Sequence, residues 1–155
     1  MRDVSEQLRS VVRDTVPRLR AISEMESQQT RGPEKWSRRQ IVGHLIDSAV
    51  NNTHRFVRAQ RENPLRFPGY EQEHWVTVQG YKDRPWNELI GLWSALNEHV
   101  AEAISRIPEN ARANECVIGG AEPVTLDFVA RDYVTHLRHH LEQVLEPVAR
   151  APTVS

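Results

Sequence analysis

Cysteine is nearly absent. Cys116 is the only one in 155 residues, which excludes an internal disulfide and fits a reducing compartment. Long apolar runs are also missing. No stretch approaches the roughly 20 apolar residues a membrane span needs, and the opening MRDVSEQLRS lacks the apolar core of a signal peptide. A cytoplasmic location is expected by elimination, with no membrane partner. Nor does one sign of charge dominate: 20 basic residues face 21 acidic ones, for a formal net charge of −1. A nucleic-acid binder would carry a basic excess or a basic stripe. Here the arginines are interleaved with acids and read as solvated helix faces, so no nucleic-acid partner is expected. Internal repeats and low-complexity segments are absent too. What remains is ordinary globular material, 39% hydrophobic and 26% charged. Its length suits a single domain spanning 1–155, with a frayed tail at 149–155.

Four helical stretches carry the apolar pattern. In the first, residues 5–22, Leu8, Val11, Val12, Thr15, Val16, Leu19 and Ile22 recur at three- and four-residue steps and share a face. Pro17 inside it is expected to kink or split the helix. The second runs over 37–61. Ser37 with Gln40 forms a capping box, and Trp36 is placed to pack on Ile41 as a hydrophobic staple. The third opens at Arg84-Pro85-Trp86, with Asp83 as a cap, and ends before Pro108. The fourth starts after Thr125 and ends near Leu145. These stretches predict an all-α fold, a four-helix bundle with long loops between helices two and three and between helices three and four. The first of these loops, 64–84, holds Phe67, Tyr70, Trp75 and Tyr81, with a short helical turn expected at 71–79. It is either a lid over a site or a cover for the core. The second, 109–124, has room for a small hairpin and nothing larger.

Three of the seven histidines lie within five residues of the fourth helix, in YVTHLRHHLEQV. His136 and His140 are four apart and so project from one face. Two imidazoles at that spacing can share one metal, as on the helix of zinc proteases, but the glutamate those enzymes use as a base is missing here. His139 points elsewhere and is expected at the surface. His44 lies on the second helix between Val42 and Leu45, and Asp47, Ser48 and Asn51 extend a polar stripe from it. A buried imidazole needs partners for its nitrogens. The stripe is therefore either the wall of a cavity or a buried hydrogen-bonded network without metal. Asp132, one turn before His136, either orients that ring through its second nitrogen or is a solvated carboxylate. His54 is about 15 Å along the helix from His44, too far to share an ion. His99 reads as surface, and His74 adjoins Trp75 in the long loop.

The segments WSRRQIVGHLIDSAVNNTHRF and DYVTHLRHHLEQV together resemble the DinB/YfiT-like family of four-helix bundles. The resemblance extends through the aromatic loop EQEHWVTVQGYKDRPW. It implies a three-histidine metal site at His44, His136 and His140, a bacterial source and homodimers. Three imidazoles suit zinc, nickel or another divalent ion, and three ligands leave a position open, as in catalytic sites. Cys116 lies in a distant loop and is not expected to complete the set. The family implies metal-dependent hydrolysis, or transfer or isomerisation that uses a low-molecular-weight thiol, acting on a small molecule. The other reading is a non-catalytic helical module that binds a metal or small ligand.

Overall fold

The structure, a computed structural model, describes residues 1–148; the tail expected to fray lies outside them. Four long helices dominate: α1 (Arg2–Arg20), α3 (Arg38–Arg58), α5 (Trp86–Ser105) and α6 (Leu126–Leu145). The connections carry two short helices, α2 (Glu24–Ser27) and α4 (Gln72–Val78), and three short strands, β1 (Leu65–Phe67), β2 (Glu115–Ile118) and β3 (Val124–Thr125). The expected all-α four-helix bundle is the architecture found.

Each long helix packs on two others. α1 lies against α5 and α6, and α3 lies against the same two. The chain therefore crosses the bundle diagonally from α1 to α3 and again from α5 to α6. Diagonal crossings need long connections: residues 21–37 make the first and residues 106–125 the second, while the 64–84 loop joins the neighbouring helices α3 and α5. The buried stripes meet in one core that includes Leu8 and Leu19 of α1, Leu45 and Phe56 of α3, Trp93 and Ile104 of α5, and Tyr133 and Leu141 of α6.

Several local expectations need correction. α1 is not split at Pro17. Proline removes an N–H and crowds the carbonyl four residues back, but that residue, Arg13, is exposed, and water can take its carbonyl. Asp83 does not cap α5. It lies in a short 3-10 turn, Tyr81–Asp83, and the carboxylate of Glu24 accepts from the N–H of Trp86 at 3.1–3.2 Å instead. The second loop makes the expected hairpin between β2 and β3, but β1 joins it from the first loop. β1 pairs parallel to β2, with Leu65 opposite Cys116 and Phe67 opposite Ile118. This small sheet ties the two long loops together beside the start of α6.

Candidate metal centre

α3 is fixed at its start by the reciprocal capping box that its sequence encodes. The Ser37 N–H donates to Gln40 Oε1 at 3.0 Å, and the Gln40 N–H returns to Ser37 Oγ at 3.3 Å. The next residue locks this end to the end of α6. Arg38 donates from Nε to the Val144 carbonyl at 2.8 Å and from Nη2 to that of Glu146 at 2.9 Å. The start of α3 thus meets the end of α6, and the two helices run antiparallel. That contact sets the register that brings His44 opposite His136 and His140.

The three histidines converge. One ring nitrogen from each lies within 4.8 Å of the others. Nε2 of His44 and Nε2 of His136 are 3.4 Å apart. Two nitrogens bound tetrahedrally at about 2.0–2.1 Å from one zinc ion would be separated by about 3.3–3.4 Å, so this spacing fits a shared ion. His44 is wholly buried, and the other two rings are partly buried. Burial, then the neighbouring His140 and His136, push the His44 imidazole down to about 3. Burial lowers His136 as well, with His140 adding to the effect. It also lowers His140, against the opposing hydrogen bond that His140 donates to Gln143. All three rings are therefore neutral near pH 7, the form that binds a metal. The donor chemistry, the spacing and the protonation state all fit a divalent ion.

Neighbouring groups hold these rings. Nδ1 of His140 lies 2.9 Å from Oε1 of Gln143. A carbonyl oxygen can only accept, so Nδ1 carries the proton and Nε2 is left for an ion. Trp36 lies against His44, with ring centroids 5.1 Å apart, and its Nε1 donates to Glu73 at 3.0 Å. Sequence reasoning missed Gln143; its signal is a polar residue one turn beyond a ligand on the same face. Nδ1 of His44 is buried and has no hydrogen-bond partner among the described residues.

The polar stripe divides into two parts. Asp47 is buried, and its Oδ1 accepts from Tyr81 at 2.7 Å and from Gln79 at 2.6 Å. Its Oδ2 is buried without a partner among the described residues. Burial raises the Asp47 pKa, against those two bonds. Asp47 thus anchors the loop before α5. Tyr81 reaches it because residue 43 is glycine: a Cβ there would lie 2.2 Å from the tyrosine ring. Asn51 turns back on its own helix, donating to the Asp47 carbonyl at 2.9 Å. Ser48, by contrast, lines a cavity of about 290 Å³ together with Asn52, Arg55, Tyr70, Asp132 and His136. Asn52, not Asn51, is the asparagine that faces it.

Asp132 is exposed, and among the described residues no hydrogen bond joins it to His136. Of its two readings, the solvated carboxylate is the one seen; it raises the His136 pKa only through its charge. His54, His74, His99 and His139 are exposed and outside the cluster. His139 Nε2 lies 3.2 Å from Gln143 Nε2, so it extends the network that holds His140. Cys116 is buried in β2, away from the three rings. No helix among the described residues is long and apolar enough to cross a membrane.

Comparison with known proteins places the chain among relatives. A protein of Oceanobacillus iheyensis, named as an inferred metal-dependent hydrolase, is 23% identical over 124 residues, covering 80% of this chain and 71% of its own. YfiT of Bacillus subtilis, named in the same way, is 25% identical over 118 residues, covering 72% of this chain and 63% of its own. The solved structure of YfiT, described as an unusual four-helix bundle topology, superposes with a TM-score of 0.75 at 19% identity, over 90% of this chain and 83% of that one. A variant of a mycothiol-dependent maleylpyruvate isomerase superposes with a TM-score of 0.75 at 12% identity, and this chain spans 61% of it. These likenesses place the fold. The family model of the DinB superfamily matches residues 7–144, nearly the full length of the chain, and the chain belongs to that superfamily.

Proposed function

We propose that this protein is a metal-dependent enzyme in which His44, His136 and His140 hold one divalent ion, zinc or nickel, and a small molecule enters the adjoining cavity. The observation that carries the reading is the convergence of three neutral imidazoles from two helices, one of which also walls a cavity of about 290 Å³. A three-residue set leaves a ligand position open, and open positions mark catalytic rather than structural sites. When bound, such an ion supplies Lewis acidity that stabilises an anion, which serves both hydrolysis and thiol-dependent transfer.

The protein's own residues supply the rest. Gln143 sets the tautomer of His140. Trp36 packs on His44, with ring centroids 5.1 Å apart. Asp132 is the one carboxylate in the cavity wall that holds His136 and is placed to take a proton from a bound molecule. A second cavity, of about 470 Å³, is bounded by Trp36, Gln143, Arg31 and Lys35. Because Trp36 and Gln143 touch the histidines, this cavity gives space for a low-molecular-weight thiol. The named activities of the relatives support the same chemistry. Homodimers and a cytoplasmic location belong to this reading.

Cobalt substitution tests the open position. Cobalt-loaded protein should show visible absorption that shifts when a small thiol or hydroxamate is added. A cobalt spectrum indifferent to every added ligand would favour a closed site and the non-catalytic binding module.

A further inference from the structure

We infer that Arg55 docks a carboxylate group of the small molecule on which this protein acts, within the cavity that His136 walls. The inference deepens the proposed function and rests on it. His44, Ser48, Asn52 and Arg55 recur along α3 at steps of four, four and three, so they share one face. Eleven residues separate the ends of this stripe, about 16 Å at 1.5 Å per residue. Ser48, Asn52 and Arg55 all line the cavity. Asn52 donates to the Ser48 carbonyl at 2.9 Å, and Nη1 of Arg55 donates to Asn52 Oδ1 at 3.3 Å. The guanidinium therefore leans back along α3 toward the histidines.

What sets Arg55 apart is the state of its donors. α3 holds two other arginines out of water, and both are well partnered. Arg38 donates to the carbonyls of Val144, Glu146 and Glu26. Arg39 bonds Ser27, Lys82 and the Glu24 carboxylate. Arg55 has one neutral amide, and its Nε is buried with no partner among the described residues. None of the ion pairs among the described residues includes it. Its guanidinium lies over the Phe67 ring, 5.5 Å from the centroid, as does that of Arg58.

A planar fork with one donor used on Asn52 and the rest unused, half out of water and lining a cavity, matches a carboxylate bidentately. The Tyr70 hydroxyl on the same wall stays protonated, because burial and then Asp47 push it up to about 12; it offers a further donor. Ile118, Val124 and Val129 supply an apolar surface for the body of the ligand. Asp132 sits on α6, one turn before His136, and repels an anion from that wall. The carboxylate is thus directed to Arg55 and the other end of the molecule toward the metal.

The test is calorimetric titration with benzoate and with its neutral counterpart, benzamide. It uses zinc-loaded and zinc-free wild type, Arg55→Met and Arg55→Lys, with zinc stoichiometry measured on each. Wild type should bind benzoate at least about tenfold more tightly than benzamide, with or without zinc. Arg55→Met should lose that preference while keeping the wild-type zinc content. Arg55→Lys keeps the charge without the fork and should fall between them; it decides the matter if Arg55→Met does not fold. Benzoate binding undiminished in either variant would overturn the inference, as would equal binding of benzoate and benzamide to wild type. Failure to take up zinc would count against the metal centre alone, because the preference at Arg55 is also read on zinc-free protein.

Discussion

Gln143 holds the one ligand nitrogen pair whose roles are fixed by a neighbour. With Nδ1 of His140 donating to it at 2.9 Å, the ring presents Nε2 without searching other tautomers and rotamers. Partners of this kind are worth about 10- to 100-fold in metal affinity. Gln143→Ala should lose affinity on that scale with little change in stability, measured by competition against a chromogenic chelator. Unchanged affinity would mean that His140 needs no such support. His44 makes a second prediction, in pH. Its folded-state pKa is lowered to about 3 from 6.5. Between those values the unfolded chain binds a proton that the folded, metal-free protein refuses. The stability this group contributes is therefore intact above pH 6.5 and lost as pH falls toward 3. Urea unfolding of metal-free protein across that window should show a steeper loss for wild type than for His44→Asn. Parallel curves would show that the ring is not held neutral.

At the scale of elements, α3 is the organising piece, because its two sides serve different ends. One side, through Gly43 and Asp47, receives Tyr81 from the loop before α5. Gly43→Ala would drive a Cβ to 2.2 Å from that ring. Overpacking typically costs about 1–3 kcal/mol, and displacing Tyr81 would also break its bond to Asp47. A drop of that size in urea-unfolding stability is expected, and a neutral result would show that the loop can move aside freely. Much of α3 was legible in the sequence. The Ser37–Gln40 box and the apolar periodicity are local signals, and both encode what is seen. Thr125 likewise caps α6, its Oγ1 accepting from Phe128 at 3.1 Å. The misread strand and the misread cap both involve partners distant in sequence. β1 is three residues long and pairs with a strand some fifty residues away, so no alternation announces it. α5 is capped by Glu24, 62 residues before it. His44, His136 and His140 could be nominated as ligands from helical spacing and resemblance. Asn52 and Arg55 could not be picked as cavity residues, because a polar residue on α3 gives no sign in sequence of whether it faces the cavity or its own backbone.

For the whole molecule, the candidate centre exists only when α3 and α6 are docked, since each supplies part of the ligand set. An ion bound there binds the folded state and not the unfolded one. At one hundred times the dissociation constant, that linkage stabilises by about 2.7 kcal/mol. For a chain of this length it corresponds to a rise in Tm on the order of 5–10 °C. Thermal scans with zinc and with a chelator should differ by that amount in wild type and coincide in His44→Ala.

The most direct measurement is elemental analysis of untagged wild type beside His44→Ala and His136→Ala, each purified without added metal or chelator. One equivalent of zinc, nickel or another divalent ion in wild type, lost in both variants, is the expected result, because the two histidines belong to different helices and meet only at this centre. Wild type that carries no metal and takes up none when it is offered would contradict the account and leave the three histidines as a buried polar cluster.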